Sequence, residues 1–178
     1  MKLTLKFTSA ALALTTLGTS LALLAGKDPI GVQCDTSSTC AVVKTQTGKV
    51  LIDNLPATPA IQKIAPGLYG VSISCGSPCS ASAYYDQRTG KLSALFPDVV
   101  AFSAQFRKVV YVSNGQFLYS PIFPGKTKPR VLKTKQPVAI TAAPVSAVVA
   151  AKFVSETDIE MTFLSGPDFD EVTETLTP

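Results

Sequence analysis

Thirteen prolines and eleven glycines are spread through this chain of 178 residues. Between them lie only short runs of Val, Ile, Tyr, Phe and Thr. Proline removes a backbone donor and clashes with the preceding helical turn, and glycine loosens any regular element. Long helices are therefore excluded over most of the chain, and short β-branched and aromatic runs bounded by turn residues read as strands. The expectation is an all-β fold, with antiparallel hairpins arranged as a sandwich or a small barrel-like sheet.

The turn residues place the hairpins. Cys40 to Thr45 and Lys49 to Asp53 pair around Gln46-Thr47-Gly48. Leu68 to Ser74 follows Pro66-Gly67. Ser80 to Tyr85 and Lys91 to Phe96 pair around Asp86 to Gly90. Val109 to Ser113 and Gln116 to Ser120 pair across Asn114-Gly115, the strongest short hairpin signal, because both residues tolerate positive φ. Val145 to Val154 pairs with Ile159 to Leu164. An internal echo also runs through the first half. Cys34, Cys40 and Gly48 reappear as Cys75, Cys79 and Gly90, near the length of a propeller-type repeat. It reads as two similar hairpins in one sheet system.

The first 26 residues have a different character. Lys2 and Lys6 precede an uncharged apolar run from Phe7 to Leu24, the order of a secretory signal peptide. The run is shorter and softer than the roughly 20 apolar residues of a membrane span. Residues 1–26 are expected to be cleaved, residues 27–165 to form a single β-rich domain, and residues 166–178 to form an acidic tail or an edge segment. The mature chain is expected to carry no integral membrane span and to reside in the periplasm or be secreted.

Export changes how the four cysteines are read. Closing a short loop costs little entropy, which favours Cys34–Cys40 and Cys75–Cys79 among the three possible pairings. A zinc site is disfavoured, since the chain has no histidine and the spacings exceed Cys-x-x-Cys. The loop Gly76-Ser77-Pro78 between the second pair is a candidate partner-binding tip, stiffened before it meets anything.

Charge supplies a second candidate. Without Lys2 and Lys6, 14 basic residues face 12 acidic ones. Lys126, Lys128, Arg130, Lys133 and Lys135 crowd one stretch. Glu156, Asp158, Glu160, Asp168, Asp170, Glu171 and Glu174 crowd the C-terminal end. Lys126, Lys128 and Arg130 are the candidate contacts to an anionic envelope component. The alternative is a pair of solvated loops that face each other. Nucleic acid is not expected as a partner, because no aromatic residues interleave the cations and the chain is exported.

Catalytic chemistry finds few footholds. The lack of histidine removes the commonest general base and the Ser–His and Cys–His dyads. Gly125-Lys126-Thr127 ends like a phosphate-binding loop, but the first glycine that motif requires falls on Ser120. No catalytic, metal or cofactor residues are assigned, and no cofactor is expected.

A Cys-Gly-x-x-Cys loop, a Tyr-x-Asp-x-x-Thr-Gly hairpin and a closing Gly-Pro-Asp-Phe-x-Glu-Val segment, here Gly166 to Val172, together resemble a group of small exported proteins of Gram-negative bacteria. That resemblance implies export and no particular activity. The loop from Cys75 to Cys79 and the strand from Ser80 to Tyr85 are also similar to periplasmic lysozyme inhibitors, whose disulfide-closed loop enters the target's cleft. Here the residues between the cysteines are Gly76, Ser77 and Pro78, without the histidine of that family's loop. The function expected is that of an exported, non-enzymatic binding or envelope-associated protein, whose partner is a protein or an anionic envelope component. The alternatives are an inhibitor of a cell-wall hydrolase of the lysozyme type and an enzyme using carboxylate or Ser/Lys chemistry.

Overall fold

A computed structural model describes residues 28–36, 39–77 and 79–178. The expected signal segment and Pro78 lie outside the described residues. The fold is all-β and antiparallel, as the turn pattern predicts. Among the described residues the strands form four separate sheets, each a meander of consecutive strands.

Sheet A holds β1 (Ile30–Cys34), β2 (Cys40–Lys44) and β3 (Val50–Leu55). Sheet B holds β4 (Ala60–Ala65), β5 (Leu68–Ser74), β6 (Ser80–Asp86) and β7 (Lys91–Leu92), and the short β8 (Phe96–Pro97) also pairs with β6. Sheet C holds β9 (Val99–Ser103), β10 (Lys108–Ser113), β11 (Gln116–Pro121) and β12 (Arg130–Leu132). Sheet D holds β13 (Val148–Phe153), β14 (Ile159–Ser165) and β15 (Asp170–Leu176).

Three apolar clusters join successive sheets. Ile30, Val42 and Leu55 of sheet A meet Tyr69, Val71, Ile73, Ala83 and Tyr85 of sheet B. Leu68, Tyr84 and Phe96 of sheet B meet Val109, Tyr111 and Ile122 of sheet C. Val110, Val112, Phe117, Tyr119 and Leu132 of sheet C meet Ile159, Met161, Phe163 and Leu176 of sheet D. Side chains alternate across a strand, so neighbours in sequence serve opposite clusters. Val109 and Tyr111 point to sheet B, while Val110 and Val112 point to sheet D. This is why β10 reads as a continuous apolar run.

The predicted hairpins correspond to β2/β3, β6/β7, β10/β11 and β13/β14, with adjusted ends. The strand expected from Lys91 to Phe96 is broken. It pairs with β6 only at Lys91–Leu92 and again at Phe96–Pro97; between them the Ser93 N–H donates to the Tyr84 carbonyl and the Ser93 hydroxyl oxygen accepts from the Tyr84 N–H. The strand expected from Val145 begins at Val148, because Pro144–Ala147 forms a 3-10 turn with proline near its start. Sheet D ends in a seven-residue edge strand, β15, paired with β14 along its length.

The internal echo lies in two sheets rather than one. Cys34 and Cys40 close the β1/β2 tip of sheet A, and Cys75 and Cys79 close the β5/β6 tip of sheet B. Gly48 and Gly90 then turn the chain into β3 and β7 with φ of +67° and +65°. The same pattern continues without cysteines. The tip pairs Cys34/Cys40, Ser74/Ser80 and Ser113/Gln116 begin 40 and 39 residues apart, and Ser165/Asp170 is their counterpart in sheet D. The longer last interval contains the connection from β12 to β13. Meander sheets of this length, stacked face to face in chain order, resemble the blades of a β-propeller.

Candidate functional site

The Lys126–Lys135 stretch comprises the loop after β11, the edge strand β12 and the start of the connection to sheet D. It lies along the seam between sheets C and D. All five of its cations are exposed. Two depressions open on this seam, one toward each end of β12.

The first is small, about 170 Å³, and cationic. It is lined by Lys108, Tyr119, Lys128, Arg130, Thr127, Thr157 and Glu156, among others. Register explains the convergence. Tyr119 stands opposite Arg130 in the β11/β12 ladder, and Lys108 opposite Pro121 in the β10/β11 ladder. The loop between β13 and β14 closes the other side. The Lys108 ammonium lies 5.3 Å from the Tyr119 ring centroid and 3.7 Å from a Glu156 carboxylate oxygen. The Tyr119 hydroxyl donates to the Glu156 carbonyl oxygen at 2.8 Å, which ties the loop to sheet C. Three cations therefore line the depression against one carboxylate.

The second depression is larger and mainly apolar. It occupies about 520 Å³ between the β12 edge and the Val138–Thr141 segment. Phe117, Val131, Leu132, Lys133, Val138 and Ile140 are among its lining residues. Its far wall is fixed by sheet D. The Ala139 N–H donates to the Leu164 carbonyl at 2.8 Å, and the Ser165 hydroxyl donates to the Pro137 carbonyl at 2.8 Å. A further apolar recess of about 420 Å³ shares Val138, Ala139 and Ile140 and extends to Pro167 and Phe169.

The basic and acidic stretches do meet, at two points. Glu156 lies in the cationic depression. Glu174, buried on β15, accepts hydrogen bonds from the backbone N–H groups of Lys135 and Gln136, both at 2.8 Å. These bonds hold the connection as it crosses between the two sheets.

The sequence-predicted site residues separate into two groups. Lys128 and Arg130 line the cationic depression, while Lys126 stands beside it in the exposed loop. Gly76 and Ser77 are exposed at the β5/β6 tip, in a ring closed by the Cys75–Cys79 disulfide, with Gly76 at φ +105°. Cys34–Cys40 is the other disulfide, and the Thr58 hydroxyl lies 3.7 Å from the Cys40 sulfur. Both expected pairings are formed. Lys108, Tyr119 and Thr157 escaped the sequence reading, while Glu156 was grouped there with the acidic stretch. Lys108 and Thr157 are distant in the chain from the basic stretch, and the one signal for Lys108 was that a β10/β11 hairpin would carry it to the end opposite Asn114-Gly115.

Ionisation is perturbed elsewhere, for structural reasons. The Arg107 guanidinium beside Asp86 holds its carboxyl below the ordinary value, helped by the N–H groups of Thr89 and Arg88. Burial pushes the Tyr84 phenol up to about 12, and that of Tyr111 upward. Hydrogen bonds from Thr177 and Ser155 lower Asp158. Among the described residues no group of three or more Cys, Asp or Glu is placed to hold a metal ion. No helix among them is long and apolar enough to cross a membrane.

The chain matches no protein-family model and no curated protein.

Proposed function

We propose that this chain is an exported, non-enzymatic binding protein of the periplasm or cell envelope, and that it holds an anionic partner along the seam between sheets C and D. The observation that carries this reading is the convergence of Lys108 with Lys128 and Arg130 on one depression. Residues from two strands and a loop place an excess of positive charge where a carboxylate, sulfate or phosphate group would fit. The two disulfides accord with an oxidising compartment.

The test is retention of the purified protein on a sulfated matrix against a salt gradient. Elution should move to lower salt when Lys108, Lys128 and Arg130 are neutralised. An unchanged elution position in that triple variant would remove the reading.

A second reading rests on the exposed ring at Cys75–Cys79. A stapled tip is suited to entering a cleft, as an inhibitor of a cell-wall hydrolase would do. Binding to a purified lysozyme, abolished by deleting residues 76–78, would establish it. No binding at all would retire it.

A further inference from the structure

Ile140 is 95 % exposed, the most exposed large apolar side chain among the described residues. Single apolar residues on a surface ordinarily need no explanation. Ile140, however, stands on the rim of the apolar cleft with Val131, itself 42 % exposed, and Lys133 lines the same cleft. Lys135 follows two residues later and is likewise exposed. An apolar protrusion flanked by cations is the arrangement with which peripheral proteins engage the boundary of a charged bilayer. The side chain enters the acyl edge while the cations lie against phosphates.

We infer that this face docks on a bilayer containing anionic phospholipid, with Ile140 entering below the headgroups and Lys133 and Lys135 lying at the phosphate level. The inference rests on the reading of the seam as a surface for an anionic partner. It goes further by naming that partner's chemistry. A water-soluble polyanion accounts for the cations but leaves Ile140 and Val131 in water; a phospholipid surface accounts for both. The carboxylates around the face are compatible with this orientation. Glu174 is turned inward onto the backbone of Lys135 and Gln136, and Glu156 lies beside Lys108 at the other end of β12. Asp168 and Asp170 are exposed and flank Phe169, itself 49 % exposed, on the far rim. Repulsion at that rim makes Ile140, rather than Phe169, the leading residue.

Co-sedimentation of the exported protein with vesicles tests the proposal. The protein should bind vesicles of phosphatidylcholine mixed with phosphatidylglycerol and should not bind phosphatidylcholine alone. Ile140→Asp should lower the partition coefficient about tenfold, through the loss of one buried aliphatic side chain. Replacing Lys133 and Lys135 by Ala should lower it about 25-fold, at roughly fivefold per cation. All three side chains are exposed, and unchanged urea midpoints would verify that the variants fold. Phosphatidylglycerol binding that Ile140→Asp leaves intact would overturn the proposal. Retention on the sulfated matrix without vesicle binding would overturn it while sparing the reading of the seam. Failure of both would remove that reading as well. Self-association that Ile140→Asp abolishes, in protein that binds no vesicles, would assign the face to a second copy and also overturn it.

Discussion

The Asp86 carboxylate of sheet B and the Arg107 guanidinium of the β9/β10 turn in sheet C's meander meet at 2.7 Å, with the Asp86 side chain 2 % exposed and that of Arg107 42 % exposed. The carboxylate also accepts the N–H groups of Arg88 and Thr89, so one buried anion orders the β6/β7 turn and joins two sheets. Removing Arg107 leaves that anion without its cation. Arg107→Ala is expected to cost about 2 kcal/mol, discounted because the guanidinium is partly in water. The pH dependence has a fixed sign. Asp86 is lowered from its ordinary 3.8 in the folded state, so its contribution is full above that value and is lost as pH falls through the lowered one. Urea unfolding across the acid range should show a component of this loss that disappears in Asp86→Asn. An identical acid profile in the variant would contradict the assignment.

Glu174 makes a second, independent tie. Its two carboxylate oxygens receive the N–H groups of Lys135 and Gln136. Glu174→Ala should destabilise the fold by about 2–3 kcal/mol, since both donors lose a charged acceptor. Glu174→Gln keeps one oxygen and should cost less. Chemical denaturation that ranks the two variants in the opposite order would count against the tie.

The disulfides close rings of four and six residues' separation. Short loops restrict the unfolded chain only modestly, so each should contribute about 2 kcal/mol. Mass spectrometry of the intact protein before and after reduction should show four hydrogens gained. The Cys75→Ser/Cys79→Ser and Cys34→Ser/Cys40→Ser double variants should each fold with a lowered midpoint. Complete unfolding of either would mean that the rings hold more than their own tips.

Phe163 is fully buried between sheets C and D. Phe163→Ala should cost about 3–5 kcal/mol through lost burial and the cavity left behind. Because the adjacent seam forms the basic face, the variant should also lose anion retention near its unfolding midpoint. A loss below 1 kcal/mol would mean that the sheets repack around the gap.

The hairpins were legible because their turns are chemical. Asn114-Gly115 adopts positive φ at both residues, and Gly48 and Gly90 do so after their threonines. The cysteine pairs were legible from loop length. Strands β1, β4, β9 and β12 were not, because β4 reads Ala-Ile-Gln-Lys-Ile-Ala and β12 is three residues long. The repeat was visible only where cysteines marked it. Beyond Cys79 the successive sheets share register and length rather than residue identity, and backbone geometry leaves little trace in composition. The candidate site was half legible for the same reason. A run of lysines announces itself, whereas Lys108 joins it only through a ladder formed 20 residues away.

Sheet D shows its polar side to water. Thr162 and Thr173 hydrogen-bond to each other there at 2.8 Å, and Lys152 meets Glu160 at 2.6 Å. Sheets B and C have no such finished side, because each is gripped by neighbours front and back. The hydrocarbon faces of this architecture lie between its sheets, and the outer side of sheet D is not one of them. A copy appended after Leu176 would find hydroxyls and paired charges where it needs bare hydrocarbon.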